Sequence, residues 1–274
     1  MKISIIITTY NWPDALELVL RSLIDQSADT FEVIVADDGS KRATDEVVTN
    51  TLTNAAFPWK HVKHEDNGIR QARVKNLGVK FAKGDYLIFI DHDVALHPDF
   101  VKDHLSMKVP GAFLQGKRAF LSAEQTQSVF SAGRVVQYSP FSKGLENRKN
   151  AIRFPVLGRL MGVPKSFQRS LRGCNLSLHR SDFMRVDGYD ETFDQLWGRE
   201  DSDICYRMFH NGVKIKNLWF CALQYHLHHP AIKNRQRDRL DEELAMVRET
   251  LRKKAVKGYS RLSEEGMVIA TSGH

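Results

Sequence analysis

Short apolar runs alternate with amphipathic stretches through the first 95 or so residues, and few folds are compatible with this alternation. Residues 3–9 (ISIIITT), 31–36 (FEVIVA) and 86–90 (YLIFI) are continuous apolar and β-branched runs. Such runs are typical of parallel strands that are buried on both faces. The segments between them repeat apolar residues at helical spacing, the first of them after Pro13. The pattern predicts an α/β fold with a doubly wound, mostly parallel sheet and right-handed crossovers.

The rest of the chain is less regular. We predict further strands over residues 59–63, 111–121, 172–179 and 213–220, and further helices over residues 44–52, 69–82 and 200–210. The segment 139–171 is rich in Lys, Arg, Pro and Gly, and we interpret it as a long, mobile insertion, with a lid as one of its roles. Residues 231 to about 257 predict a strongly charged helix, whose apolar stripe consists of Leu240, Leu244, Val247 and Leu251.

Polar clusters follow three of the predicted strands at the point where each strand ends. They are residues 8–11 (TTYN), 37–38 (DD) and 91–93 (DHD). Ligands of doubly wound sheets bind beyond the carboxyl ends of the strands. We therefore expect the three clusters to meet in one site.

Asp91 and Asp93 are the strongest candidates for metal ligands. Magnesium and manganese prefer oxygen ligands and keep positions open for substrate phosphates. Aspartates are also common in turns, which is the alternative for an isolated Asp-x-Asp. The position directly after a buried strand favours a cation site, because two adjacent anions are costly there unless a cation binds.

Three other sets of polar residues each allow two interpretations. Asp37 and Asp38 accept hydrogen bonds from a base or a ribose, or else form a plain Asp-Gly turn. Glu200 and Asp201 supply a general base for a hydroxyl acceptor, or else partner the dipole of the helix that they begin. The histidines of residues 224–229 (QYHLHH) bind a metal, or else lie on a surface loop.

The net charge of +7 and the pI of about 9.3 suit an anionic partner, namely a nucleic acid, a membrane surface or a phosphorylated substrate. A solvated basic surface is the alternative. We see no aromatic-basic RNA motif and no helix–turn–helix pattern, so nucleic acid is the least favoured partner. Basic residues of the insertion are candidates to face an anionic membrane or a phosphorylated lipid acceptor. They are Lys143, Arg148, Lys149, Arg153, Arg159, Lys165, Arg169 and Arg172.

The chain has no apolar run of about 18 residues, the length that a membrane-spanning helix needs. Residues 1–4 lead directly into the first strand, so we expect no signal peptide. Three scattered cysteines, Cys174, Cys205 and Cys221, are in no metal-binding spacing. We expect reduced thiols and a cytoplasmic location, with peripheral contact at the inner face of the membrane.

Six sequence blocks occur in the order found in one enzyme family. They are residues 3–12 (ISIIITTYNW), 31–40 (FEVIVADDGS), 67–78 (NGIRQARVKNLG), 84–94 (GDYLIFIDHDV), 172–191 (RGCNLSLHRSDFMRVDGYDE) and 197–207 (WGREDSDICYR). The chain resembles family 2 glycosyltransferases of the GT-A fold. The resemblance implies a Rossmann-like sheet with a smaller mixed sheet on the acceptor side and a C-terminal helix. It also implies residues 1–230 as the catalytic domain, with a donor-binding half (1–110), an acceptor half (111–230) and a charged helical tail (231–274).

The resemblance implies an inverting transfer of a hexose from a nucleotide-sugar, a UDP-sugar by preference, to a hydroxyl of a glycan or glycolipid. Bacterial surface polysaccharide or lipopolysaccharide synthesis is the implied setting. Thr8, Tyr10, Asp38 and Asp37 would form the nucleotide pocket, with Tyr10 stacked on the uracil. Arg73 would lie near the base and phosphates.

For the reaction itself, the resemblance implies that Asp93 binds Mn²⁺ or Mg²⁺ and that Asp91 contacts the ribose or the metal. His226 would be a further metal ligand, with His228 as second choice. Asp201 would be the general base and Glu200 an acceptor contact. Trp197 stacks on a sugar in one interpretation and belongs to the core in the other.

Two other functions compete with sugar transfer. A nucleotidyltransferase uses a similar sheet and metal but needs a glycine-rich phosphate loop after the first strand. Residues 8–12 (TTYNW) contain no glycine. A basic nucleic-acid-binding or membrane-binding protein without catalysis is the remaining alternative.

Overall fold

The computed structural model describes residues 2–28, 30–134, 136–169, 171–230, 237–263 and 267–272. The strands are β1 (Ile3–Thr9), β2 (Glu32–Asp37), β3 (Trp59–Lys63), β4 (Tyr86–Asp91), β5 (Val94–Leu96), β6 (Ala112–Gln115), β7 (Ala119–Phe120), β8 (Asn175–His179), β9 (Lys214–Asn217), β10 (Gln224–His226) and β11 (Met267–Thr271). The α-helices are α1 (Pro13–Ile24), α2 (Arg42–Leu52), α3 (Gln71–Phe81), α4 (Phe100–Met107), α5 (Ala123–Ala132), α6 (Pro155–Met161), α7 (Arg180–Arg185), α8 (Glu200–His210) and α9 (Arg237–Glu249).

The described strands form two sheets. The larger has the order β11-β3-β2-β1-β4-β8-β6-β9, and the smaller has the order β5-β10-β7. The block β3-β2-β1-β4 is parallel, and β8 runs antiparallel to both β4 and β6. In the smaller sheet β10 is antiparallel to β5 and parallel to β7. The predicted α/β fold, with a mostly parallel sheet and a smaller mixed sheet, is confirmed.

Helices cover both faces of the parallel block, which is why β1, β2 and β4 contain continuous apolar runs. All seven residues of β1 are buried. Ile5 and Ile7 pack on one face with residues of α1, and Ile6 packs on the other with residues of α3. Gly78 lets α3 approach closely, since a Cβ there would stand 2.7 Å from the Ile6 side chain.

The prediction of one strand over residues 111–121 is wrong. The segment divides into β6 in the larger sheet and β7 in the smaller one. The division falls at Gly116, where a side chain would overlap that of Asn175. The connection Lys117–Arg118 therefore passes from one sheet to the other. The alternation rule cannot locate such a division, because both short strands are apolar.

The tail differs from the prediction in two ways. Leu240, Leu244 and Val247 of α9 are buried beside Phe193 and Tyr206, as the predicted stripe requires, but Leu251 is 64% exposed. The helix ends at Glu249, so Leu251 lies beyond the stripe. The tail also contains β11, which pairs antiparallel with β3, so it is not only helical. Residues 231–236 of the predicted helix lie outside the described residues.

The insertion 139–171 contains one turn of 3-10 helix at Arg148–Ala151 and the short helix α6. An isolated antiparallel bridge joins Lys165 to Ile215 of β9. In the described parts of the chain, no helix combines the length and the apolar character needed to cross a membrane. Cys174, Cys205 and Cys221 are buried free thiols.

Candidate active site

A cavity of about 350 Å³ opens at the carboxyl ends of β1 and β4. The register of these strands places Thr8 beside Asp91, whose Oδ1 lies 3.4 Å from the threonine hydroxyl. The start of α8, the loop before β8 and the loop after β10 complete the wall. The lining side chains include Asp91, Asp93, Trp197, Glu200, Asp201, His226 and His229. Two of the three predicted strand-end clusters therefore share one cavity with the start of α8.

Asp93 lies between two histidines. Its Oδ2 is 3.1 Å from His226 Nε2 and 3.2 Å from His229 Nε2. The pairing of β10 with β5 brings His226 opposite Val94, the neighbour of Asp93. His228 points elsewhere: it is exposed, and its backbone N–H donates to Thr126 Oγ1. The structure thus brings His229, rather than the second choice His228, to the carboxylate.

The electrostatics of this group favour a bound cation. Burial alone would raise the pKa of Asp93, but hydrogen bonds from His226 and His229 outweigh it and hold the pKa well below its usual value. Burial, reinforced by Asp93, raises the pKa of the neighbouring Asp91. Asp93 Oδ1 is buried without a hydrogen-bond partner among the described residues.

A divalent metal fits these residues. The ligand atoms of Asp93, His226 and His229 all lie within 4.8 Å of one another. One carboxylate and two imidazoles suit manganese or another first-row divalent ion, with positions left for phosphate oxygens. The partnerless oxygen of Asp93 supplies a further lone pair for such an ion.

A buried lysine holds the two acids at the start of α8. Lys75 Nζ lies 2.9 Å from Glu200 Oε1 and 2.8 Å from Asp201 Oδ1. Burial alone would lower the pKa of Lys75, but Asp201 and Glu200 raise it well above its usual value. Burial raises the pKa of Glu200, against the effect of Lys75. Sequence reasoning missed Lys75; the available signal was a lysine at an inward position of α3.

Asp201 is also fixed from the other side. Its Oδ2 accepts a hydrogen bond from the backbone N–H of Gly173 at 2.9 Å. A side chain at position 173 would overlap the Asp201 carboxylate, so this approach requires glycine. The Asp201 side chain is 24% exposed, on the cavity wall. It is therefore oriented by two donors and still accessible to a ligand.

The predicted nucleotide pocket lies next to the cavity, off the ends of β1 and β2. Asp38 is buried, with Oδ1 2.6 Å from His64 Nε2 and Oδ2 accepting from the backbone N–H of Arg70. Tyr10 is 42% exposed, and its hydroxyl donates to Asp66 at 3.0 Å. The Tyr10 ring is thus available for stacking, and Asp38 is oriented by its neighbours.

The carboxylate of Asp37 is held by hydrogen bonds inside the fold. It is fully buried, 3.0 Å from His61 Nε2, and its Oδ1 accepts from the backbone N–H of Ser40. Burial alone would raise the pKa of Asp37, but the hydrogen bonds from His61 and Ser40 hold it below its usual value. This carboxylate shapes the loop that carries Asp38 and does not line the cavity.

Arg73 and Trp197 differ in their access to the cavity: Trp197 lines it and Arg73 does not. Arg73 is buried away from the cavity, with its guanidinium 2.9 Å from Ser263 Oγ and 3.8 Å from Glu191. Arg73 does not line this cavity, whereas Lys75, two residues later, does; the contact of Arg73 with base and phosphates stays a prediction. Trp197 is 43% exposed and lines the cavity, so it is not a core residue.

Two family profiles match the chain. Residues 4–111 match "Glycosyl transferase family 2", and residues 163–230 match "N-terminal domain of galactosyltransferase". The first contains the strand-end clusters, and the second contains Asp201, His226 and His229. The six motif blocks of the sequence thus fall largely within the two matched regions.

Several bacterial proteins are similar in sequence. A chondroitin synthase of Escherichia coli is 29% identical over 256 residues, which cover 85% of this chain and 35% of that protein. A hyaluronan synthase of Pasteurella multocida is 25% identical over 250 residues, 85% of this chain and 25% of the relative. A validoxylamine A glucosyltransferase of Streptomyces hygroscopicus is 31% identical over 227 residues, which cover 77% of this chain and 52% of that protein. The chain therefore spans between a quarter and about half of the length of these relatives.

Solved structures share the fold. TarS of S. aureus (residues 1–349), in complex with UDP, superposes with a TM-score of 0.64 at 21% identity, over 92% of this chain and 65% of that one. A mannosyltransferase of Pyrobaculum calidifontis, in complex with GDP-Man and Mn²⁺, gives a TM-score of 0.57 at 18% identity. The superposition covers 85% of this chain and 58% of that one. The architecture is that of GT-A glycosyltransferases.

Proposed function

The chain belongs to glycosyl transferase family 2, and from this premise we propose that it transfers a sugar from a nucleotide-sugar, a UDP-sugar by preference, to a hydroxyl of a glycan or glycolipid. The observation that carries the proposal is the cavity in which Asp93, His226 and His229 stand across from Asp201. A cation site and an oriented base in one cavity are the two parts that such a transfer needs. Family membership favours this function over a nucleotidyltransferase or a non-catalytic binding protein.

For the donor, we assign the nucleoside to Thr8, Tyr10 and Asp38, with stacking of the base on the exposed Tyr10 ring. Asp91 lies beside Thr8 and is placed to contact the ribose or the metal. Asp93, His226 and His229 would hold Mn²⁺ or Mg²⁺. When bound, this ion supplies the positive charge that stabilises a departing diphosphate.

For the acceptor, we assign the general base to Asp201. The carboxylate takes the proton of the acceptor hydroxyl, and the oxygen attacks the anomeric carbon as the bond to the diphosphate breaks, with inversion. Lys75 and the Gly173 N–H orient the carboxylate. Trp197 offers an exposed ring for a sugar face, and Glu200 stands beside the base as an acceptor contact.

We place this reaction in bacterial surface polysaccharide or lipopolysaccharide synthesis, at the cytoplasmic face of the membrane with peripheral contact. Support comes from two bacterial relatives that are synthases of chondroitin and hyaluronan. Basic side chains of residues 139–171 provide the positive charge that attracts anionic lipid surfaces.

A donor-hydrolysis screen tests the proposal. The protein is incubated with UDP-, GDP- and TDP-sugars in Mn²⁺, Mg²⁺ or EDTA, and the released nucleotide is quantified. We expect metal-dependent release from one donor, and loss of transfer in Asp201→Asn with UDP affinity unchanged. Absence of turnover together with no calorimetric binding of UDP and Mn²⁺ would remove the donor-site assignment.

A further inference from the structure

A group of four cations lies beside the catalytic cavity. Lys117 is half-buried on the connection between β6 and β7, and it is close enough to Arg172, Lys149 and Lys165 for all three to lower its pKa, after burial itself. We call these four residues the cation cluster. Arg172 also lines the catalytic cavity, while Lys117 and Lys149 line a separate small pocket of about 110 Å³. The cluster therefore begins at the active site and leads away from it.

The described residues supply no ion-pair partner to the cation cluster. Within the described part of the chain, none of its four side chains forms a salt bridge. Arg153, which belongs to the same insertion, differs from these four residues. It forms salt bridges with Asp99 and Asp103 at 3.2 and 2.7 Å, so its charge is already paired, although the sequence made it a candidate for contact with an external partner. Uncompensated cations that repel one another raise the free energy of the folded chain, and a bound anion relieves this cost.

The backbone around the cluster is held in place. Asn150 Nδ2 donates to the carbonyl of Arg118 at 2.8 Å, which ties the turn of Lys149 to the connection of Lys117. Lys165 exchanges two backbone hydrogen bonds with Ile215 at 2.7 and 2.8 Å. Lys117 Nζ rests 4.9 Å above the ring of Trp219. The charges are thus positioned before any ligand arrives, which lowers the entropic cost of binding.

Apolar side chains project next to the cation cluster. Gly158 allows α6 to pack against the carbonyl of Trp219, because a side chain at position 158 would overlap that oxygen. The outer face of this segment exposes Phe154, Val156, Leu160, Met161 and Val163, between 50% and 74% each. Met161 also lines the small pocket together with Lys117 and Lys149. Positive charge and apolar surface therefore occur side by side, as a ligand with an anionic group and an apolar chain requires.

We propose that the acceptor is a phosphate-linked amphiphile, whose phosphate binds the cation cluster and whose apolar chain lies along residues 154–163. The proposal deepens the proposed function and rests on it. The donor diphosphate has its own place at Asp93, His226 and His229, so the cluster serves the other substrate. A phosphate at Arg172 would hold the attached sugar hydroxyl within the cavity that Asp201 lines.

Decyl phosphate below its micelle concentration, titrated in EDTA, is the probe, and the intrinsic tryptophan fluorescence, to which Trp219 contributes, is the readout. We expect saturable binding that inorganic phosphate displaces, and no binding of decyl maltoside. The double variant Lys117→Gln/Lys149→Gln should bind at least about tenfold more weakly, because charge-assisted bonds to phosphate are lost. Lys80→Gln, an exposed lysine on α3, is the matched control and should bind as the parent does.

Equal affinity of the double variant and the parent for decyl phosphate would overturn the proposal, as would equal binding of decyl maltoside. Phosphatidylglycerol vesicles provide a further arm: binding that depends on Lys117 and Lys149 but resists inorganic phosphate would assign the cluster to a membrane surface instead. Donor hydrolysis is measured on the same samples. Unchanged hydrolysis with lost probe binding supports the acceptor site, whereas failed hydrolysis in the parent would contradict the proposed function independently of the probe.

Discussion

At the scale of single residues, the geometry around Asp93 distinguishes two neighbouring histidines. His229 Nε2 lies 3.2 Å from the carboxylate, and Asp93 raises the pKa of this histidine. His228 is exposed and contacts Thr126 through its backbone. The two side chains have the same chemistry and adjacent positions, so they form a matched pair for mutation.

We expect His229→Ala to weaken Mn²⁺ binding by at least about tenfold, since one of the three proposed protein ligands is lost. His228→Ala should leave the affinity unchanged. Calorimetric titration of Mn²⁺ in the presence of UDP measures both. The reverse ranking of the two variants would contradict the placement of His229 in the metal site.

Lys75 allows a second test at this scale. Lys75→Met leaves the buried Glu200 without its cation, and we expect a loss of about 3 kcal/mol in the free energy of unfolding. The ammonium also lowers the pKa of Glu200, the proposed acceptor contact, so its removal should keep this carboxyl protonated to higher pH. Because the protonated form would lose its contact with the acceptor, the acid limb of the pH–rate profile should move to higher pH. Lys75→Arg keeps the charge and should restore most of the stability.

Denaturant titration and a pH–rate profile of the three proteins check this prediction. A Lys75→Met enzyme with the parental stability and pH profile would show that the lysine neither neutralises nor orients the acids.

At the scale of helices and strands, His104, a buried histidine of α4, is hydrogen-bonded to residues of β8. Burial lowers the pKa of His104 to about 3, although the ring Nε2–H donates a hydrogen bond to Asn175 Oδ1, which by itself would raise the pKa. The ordinary pKa of an unfolded histidine is about 6.5. Between these values the unfolded chain takes up a proton that the folded chain does not, so stability falls as the pH falls.

We expect the parent to lose about 1 kcal/mol more than His104→Gln when the pH changes from 6.5 to 5.5. Above pH 7 the difference between the two proteins should be constant. Urea titrations at pH 7.5, 6.5 and 5.5 measure it. Parallel curves at all three values would show that His104 is protonated equally in both states.

The elements also show what the sequence could predict. Strands buried on both faces have continuous apolar runs, so β1, β2 and β4 are found within a residue of the expected bounds. Local patterns cannot reveal which sheet a short strand joins, so the division of residues 111–121 was missed. Asp93 and Asp201 were proposed from motifs, whereas Lys75 and His229 depend on tertiary contacts that spacing along the chain does not encode.

At the scale of the whole molecule, the tail is joined to the body of the protein. Arg73 contacts Ser263, Asp190 accepts from the backbone N–H groups of Val256 and Lys257, and β11 extends the larger sheet. These contacts bury polar groups of the body against the tail. The division at residue 230 is therefore a boundary in sequence and not in packing.

We expect a chain that ends at residue 230 to lose a cooperative fold, because α8 would expose the aromatic side chains that α9 covers and Asp190 would lose the backbone donors Val256 and Lys257. Thermal melting by circular dichroism compares it with the full chain. A truncated protein that melts within about 2 °C of the full chain would show the tail to be independent.

Strand β8 has a consequence for making hybrid enzymes. It lies between β4, which carries the donor-side acids, and β6, and it is preceded by Gly173, which supports Asp201. The boundary between the predicted donor-binding and acceptor halves thus runs through hydrogen-bonded strands. Exchange of one half between relatives would succeed only where the register of β4 against β8 is kept, so donor preference is better altered by loop grafts than by swapping halves.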